Sequence, residues 1–404
     1  MRDHIVLGSE LTMKNSKKSL FFLFILLVLL LLYAYSDVMT SRQAGFRDQS
    51  RGLVHIYLSI IIVLLTVYNV FFRCKNNYKN RRKSLTVILS LIVVWVAIVN
   101  AINSANTWSS IIHMLMGIWW IMSYHFFYNF SENNPRLKKI IIALFMCMFL
   151  FYIWANFYIR NNITQTFATE YAITGYAYYF IVFVPFIGLI QNIKFRNVLW
   201  VISLILVVTS YKRGPIIILP LMFVTYFFTK SVLNGNWLKF IAGIIPILFI
   251  TFFIFNWIDD LSGGYLSFRF SAEQLSSGSG RIDLWNTAIN SLKQRGDLSL
   301  LIGTGSGSSV NLLGTGVHNE WLEFLFSFGL IGSTLYFFMC VVLIKKYIRL
   351  IRQKSIFSPL IGMVTFYVIA VGLFGGFFFV HSTFYVFAFL GLIESQIRNI
   401  NNLK

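Results

Sequence analysis

Three side chains of this sequence carry acid–base or anion chemistry in polar settings: His318, Arg281 and Arg213. His318 closes a polar segment as His318-Asn319-Glu320, just before an apolar run that starts near Trp321. A neutral imidazole near pH 7 can take a proton from an attacking hydroxyl. On a helix continuing from it, Leu322 and Leu325 share its face, whereas Glu320 and Glu323 point elsewhere, so no local carboxylate orients it. The plainer alternative is a helix-start histidine packed at an interface, as with His55, His113 and His125 in their own apolar runs. His381, in a short turn, is a second candidate for the same role.

Arg281 follows Ser276-Ser277-Gly278-Ser279-Gly280 and opens Ile282-Asp283-Leu284-Trp285, the start of an amphipathic helix. A Ser/Gly run entering a helix aims backbone N–H groups at the positive dipole end, which suits phosphate oxygens. Guanidinium adds a bidentate fork that never loses its charge. Alternatively Ser279 only caps a surface helix and Arg281 is solvated; the local sequence leaves both open. Arg213 lies in Ser210-Tyr211-Lys212-Arg213-Gly214-Pro215, between apolar runs at 198–210 and 214–229. Helices of that length cover roughly 20–24 Å, less than a bilayer core. The expectation is a recess at or below the interface, where Arg213 and Lys212 meet a lipid phosphate. A snorkelling interfacial Arg is the alternative.

Gly303-Thr304-Gly305-Ser306-Gly307 lacks the Gly-Lys-Ser/Thr ending of a phosphate-binding P-loop and any βαβ context. It reads as a turning loop that lets the backbone approach a substrate. Trp285, Trp321 and Tyr265 could stack on sugar faces, although aromatics are expected at membrane interfaces in any case. Asp259-Asp260 reads as a solvated pair, and no acidic or histidine cluster outside the apolar runs suits a metal.

The elements that position these residues are set by composition. With 57% hydrophobic and 12% charged residues and a mean hydropathy of +0.71, the chain is not an ordinary soluble globule. Its apolar runs are continuous rather than alternating, which selects helices over a closed barrel. The fold class is therefore an all-α polytopic membrane protein. About twelve spans are expected, near 19–36, 53–72, 84–102, 111–130, 140–159, 176–193, 198–210, 214–229, 240–257, 321–343, 358–374 and 380–396. The chain divides into 1–257 with nine spans, the polar loop 258–320, and 321–404 with three spans and a tail. Lys14, Lys17 and Lys18 precede the first span, which lacks a small-residue cleavage pattern and reads as a retained anchor.

With both termini cytoplasmic, the inner segments hold 24 Lys/Arg and the outer ones 10. The clusters Arg73–Lys83 and Lys345–Lys354 then fall inside, as the positive-inside rule requires, and the polar loop faces the periplasm or cell exterior. The net charge of +20 is thus topology, and nucleic acid is not an expected partner. Cys147 and Cys340 fall in spans and Cys74 in a basic inner loop, so no disulfide framework or cysteine zinc site is available outside.

Lys212-Arg213-Gly214 between spans, Gly280-Arg281-x-x-Leu284-Trp285 in a large outer loop, Gly303-x-Gly305-x-Gly307, and His318-Asn319-x-x-Leu322 followed by Gly329-Leu330-Ile331-Gly332 together resemble the O-antigen ligase/polymerase superfamily. The match covers about Lys212–Gly332; each motif alone is weak, and their order with the topology carries it. The resemblance implies a GT-C-like bundle in the bacterial inner membrane, a metal- and cofactor-independent glycosyltransferase. Its donor and acceptor would be oligosaccharide on undecaprenyl pyrophosphate. Arg213 and Arg281 would match the family's pyrophosphate-binding arginines, and His318 its base. Lys212, Gly280, Trp285, Gly303, Gly305 and Asn319 would contact substrate. A chain-length regulator and a flippase are the implied partners. The Gly-x-Gly-x-Gly segment and the Gly280–Trp285 block favour a polymerase; a ligase to lipid A-core is the alternative. Outside the enzyme class the rival is a polysaccharide flippase, which should carry polar residues near the midplane, whereas Glu323 and Glu394 lie near span ends.

Overall fold

The computed structural model describes residues 20–36, 84–103, 107–133, 137–167, 175–276, 281–314, 316–375 and 382–402, with isolated positions between 38 and 68. All regular structure among them is helical. The long helices are α1 (Leu20–Ser36), α2 (Ser84–Ile102), α3 (Thr107–Asn133), α4 (Leu137–Phe167), α5 (Ala177–Ile187), α6 (Ile193–Val208), α7 (Arg213–Asn234) and α8 (Trp237–Leu261). Five short helices follow: α9 (Tyr265–Arg269), α10 (Ala272–Ser276), α11 (Arg281–Lys293), α12 (Asp297–Ile302) and α13 (Ser308–Leu313). The chain ends in α14 (Glu320–Arg352), α15 (Ser358–Phe374) and α16 (Ser382–Asn402).

Among the described residues, five helices are long and apolar enough to cross a membrane: those holding 85–102, 138–161, 213–234, 237–261 and 320–352. The chain is an all-α membrane protein. Expected spans 84–102 and 358–374 coincide with α2 and α15. Most of the span near 53–72, the basic segments Lys14–Lys18 and Arg73–Lys83, Cys74, His55, His381 and Gly280 lie outside the described residues.

One span is shorter than expected, and one expectation is corrected. The span at 176–193 is the 11-residue α5, about 16 Å long and buried at every position except Tyr178. It nonetheless joins the Lys212 end of the bundle, where Tyr178 lies, to the start of α6 at the other end. The second of the two helices flanking Arg213 is not short. α7 runs for 22 residues, about 33 Å, so Arg213 stands at the end of a full crossing helix.

The core is aromatic where α4, α5 and α16 meet. Phe145 and Phe186 lie 4.0 Å apart between ring centres, and Tyr152 stacks on Tyr179 at 4.1 Å. α3 packs along α16, and α7 along α15. α8 is different: only 6% of its apolar window is buried, against 44% for α7, so Leu238, Phe249, Phe252 and Phe253 face outward.

The expected loop 258–320 is folded. Asp259 accepts from the backbone N–H of Ser267 at 2.9 Å and from the Ser267 hydroxyl, and so anchors α9 to the end of α8. α14 then begins at Glu320 and is 33 residues long, about 50 Å. It is broken at Gly329, whose φ of 65° and ψ of −166° leave the helix.

Candidate active site

Lys212 and Arg213 are aimed by a tight reversal between α6 and α7. Tyr211 adopts a left-handed φ of 54°, uncommon outside glycine. Arg160 holds this turn from α4: Nη1 donates to the Thr209 carbonyl and Nη2 to the Tyr211 hydroxyl, both at 3.2 Å. Its guanidinium also stacks 5.0 Å from the Tyr211 ring centre. Lys212 then serves as the N-cap residue of α7 without a side-chain cap. Its Nζ lies 5.1 Å from the centre of Tyr178, the one side chain of α5 not buried in the core.

Arg213 is committed in part to structure. Its Nη1 donates to the carbonyls of Arg269 at 3.2 Å and Gln274 at 2.7 Å, tying α9 and α10 to the mouth of α7. That contact brings Arg269 to the site. Burial, then Arg281 and then Arg269, hold the Lys212 ammonium down to about 8. The same two arginines act on Arg213. Arg269 Nε is buried with no hydrogen-bond partner among the described residues.

His318 arrives from the other direction. Sequence periodicity places it on the helix after it, but it lies before that helix with φ 55°, and Asn319 is the N-cap. The Asn319 side chain accepts from the Leu322 N–H at 3.2 Å, and its amide donates to the Leu373 carbonyl at 3.4 Å. On the other flank, Trp285 Nε1 donates to the Val317 carbonyl at 2.9 Å, and the Val317 N–H donates to Glu323 at 3.3 Å. The imidazole is thus presented from a pinned, left-handed backbone, a conformation that costs about 1–3 kcal/mol and clusters at functional sites. The side chain is exposed, yet the surrounding protein strips part of its hydration. That loss first, and then Arg281 and Lys212, lower its pKa below the ordinary histidine value.

Arg281, the first residue of α11, is the common neighbour: its charge reaches Lys212, Arg213, Tyr178 and His318. Lys212 and Arg281 therefore act on the imidazole, and Arg213 and Arg269 join the same electrostatic cluster through them. Such a cluster suits a multiply charged anion beside a group that gives up its proton.

No protein-family model, curated protein or solved structure matches this chain.

The remaining expected contacts have structural work. Trp285 belongs to a small cluster with Ala288, Leu292, Val317 and Phe326, and its indole N–H is spent on Val317. Gly303 and Gly305 pack against the break in α14. A Cβ on Gly303 would stand 2.4 Å from the Ser327 carbonyl oxygen, and one on Gly329 would stand 2.3 Å from that of Leu301. The Gly305 N–H donates to Ser327 at 2.9 Å. Arg295 Nη1 and the Thr304 hydroxyl donate to Phe326 at 2.8 and 3.2 Å, and Trp95 Nε1 donates to Phe328 at 2.9 Å. These donors satisfy carbonyls that the break releases, which a helix interrupted within a membrane requires.

Arg269 and Tyr178 are the site residues that sequence reading missed. Arg269 had one signal, an outer-loop cation against the charge bias. Tyr178 had none, since a tyrosine in an aromatic run reads as core.

Proposed function

We propose that this chain is a surface-polysaccharide polymerase, joining undecaprenyl-pyrophosphate-linked repeat units by metal-independent, inverting glycosyl transfer. The observation that carries the reading is the clustering of Lys212, Arg213, Arg269 and Arg281, with His318 against Arg281 and Lys212. The resemblance of the Lys212–Gly332 motifs to the O-antigen ligase/polymerase superfamily supplies the substrate class. In this reading the bundle is GT-C-like with about twelve spans, and the site opens on the periplasmic face of the bacterial inner membrane. Both termini are cytoplasmic.

The chemistry follows from the parts. Lys212, Arg269 and Arg281 bind the pyrophosphate of the donor, and Arg213 adds charge while clamping α9 and α10 beside it. An acceptor sugar hydroxyl attacks the anomeric carbon from the face opposite the phosphate. The new C–O bond forms as the bond to the phosphate oxygen breaks, and the hydroxyl proton passes to the His318 imidazole. Negative charge grows on the departing undecaprenyl pyrophosphate, where fixed cations stabilise it more in the transition state than in the ground state.

The test is a surface-glycan size ladder from cells lacking the gene and complemented with wild type or His318→Ala. Loss leaving one repeat unit on lipid A-core identifies a polymerase. Bare core with long chains accumulating on undecaprenyl pyrophosphate identifies a ligase. A normal ladder with His318→Ala removes the base from the mechanism.

A further inference from the structure

A second group of cations gathers at the opposite end of α6, α7 and α8. Arg196 lies in the first turn of α6, Lys230 near the end of α7 and Lys239 in the first turn of α8. Arg196 and Lys239 are both within electrostatic reach of Lys230. Two of the charged groups stand over aromatic rings: the Arg196 guanidinium is 5.2 Å from the centre of Trp200, and Lys230 Nζ is 6.0 Å from that of Tyr226. The two rings meet edge to face at 5.1 Å. Between the three helices runs an apolar groove of about 300 Å³, lined by Trp200, Leu204, Phe223, Phe227, Pro246 and Ile250 among others. One of its walls is α8, the helix with almost no buried surface, so the groove adjoins a face turned to lipid.

We propose that this groove binds an anionic phospholipid of the surrounding bilayer. Its phosphate lies among Arg196, Lys230 and Lys239, and one acyl chain runs along the groove. Charge complementarity selects the headgroup, because three mutually repelling cations become a favourable site when an anion stands between them. Basic pockets between membrane helices recognise anionic headgroups in this way. The groove's size selects the tail, since a partner helix about 10 Å across would not enter it. The site lies at the far end of the helices from Lys212, so it is separate from the proposed reaction and needs only the membrane embedding of the chain.

The experiment is native mass spectrometry of the full-length protein released from nanodiscs of equal phosphatidylglycerol and phosphatidylcholine. We expect wild type to retain phosphatidylglycerol at least tenfold over phosphatidylcholine, with the preference shrinking as salt shortens the screening length. Arg196→Gln, Lys230→Gln and Lys239→Gln combined should bring the ratio near one. Ala242→Phe, which puts a ring into the groove, should lower retention of both lipids. Equal retention by wild type overturns the proposal without any variant, as does a preference that survives removal of the three charges. Unchanged retention in Ala242→Phe removes the tail from the groove. Displacement of phosphatidylglycerol by a polyprenyl phosphate, or by a second copy of the chain, assigns the groove to another occupant and overturns it too.

Discussion

Two polar regions lie side by side at the end of the bundle where α7 begins and α8 ends, and they solve opposite problems. Around Gly303 and Gly329 every feature serves internal satisfaction: carbonyls released by the broken helix meet Arg295, Thr304, the Gly305 N–H and Trp95. Around Lys212 burial and like charges act together instead: burial first, then the arginines, lowers the lysine's pKa, and desolvation first, then Arg281 and Lys212, lowers that of His318. A region whose polar groups answer each other is a scaffold. A region of like charges held close together suits a ligand of the opposite sign, which is the role proposed for it above. The two arginines also stand in different surroundings: Arg295 lies 3.7 Å over the Phe326 ring and bonds its carbonyl, and the charge of Arg281 reaches a lysine and a histidine.

The sharpest way to break this division is to damage each region in turn. Gly329→Ala should abolish folded protein, because its Cβ collides with the Leu301 backbone and its φ is left-handed. Overpacking and handedness together cost about 2–5 kcal/mol. The yield of monodisperse protein after extraction measures this, and a well-folded, active Gly329→Ala would dissolve the scaffold assignment. His318→Asn should do the reverse. Asn tolerates a left-handed backbone, so thermal stability stays near wild type while glycan transfer falls about 10²–10⁴-fold through loss of the base.

Arg281→Lys comes next in size. Replacing a bidentate fork by a point charge should cost about 1.5–3 kcal/mol of pyrophosphate binding in the transition state, a loss of roughly ten- to a hundredfold in transfer rate. Near-normal activity would return Arg281 to the solvated helix face. Trp285→Phe is smaller again. It removes the bond to the Val317 carbonyl, about 1 kcal/mol. If that bond serves to hold His318 in place, kcat should fall with little change in KM.

Much of the scaffold was legible in the sequence, because an uninterrupted apolar run bounded by polar residues has one helical reading. α2 and α15 end where their runs end. The legibility fails where tertiary contacts decide. Nothing local shows that the run at 176–193 forms only 11 helical residues, buried at all but one position, and the start of α6 at Ile193 lies five residues before the apolar run was expected. In the segment after α8, serines and glycines read as loop although Asp259 and Arg213 fix two short helices there. His318 was found by type and position, but its helix-face assignment was wrong because a left-handed residue before an N-cap has no periodicity. The glycine run was read as a loop open to substrate, since the partner that crowds it, Gly329, lies more than twenty residues along the chain. Arg269 enters the cation cluster through its backbone carbonyl, which no sequence pattern displays.

The smallest expected effect is also the finest test of the cation cluster, because it needs no loss of activity. His318 acts as a base only when neutral, and its lowered pKa keeps it neutral to below the ordinary value of about 6.5. Lys212 helps only when charged, and it loses its proton as pH rises through about 8. The profile of kcat/KM against pH should therefore be a bell, with an acid limb below about 6.5 and an alkaline limb near 8. Pyrophosphate in the site favours the protonated form of both groups, so both limbs should lie at higher pH in kcat than in kcat/KM. Lys212→Arg should erase the alkaline limb and keep the acid one, since guanidinium does not titrate in this range. An alkaline limb unchanged in Lys212→Arg would show that the lysine's depressed pKa belongs to packing and not to the substrate.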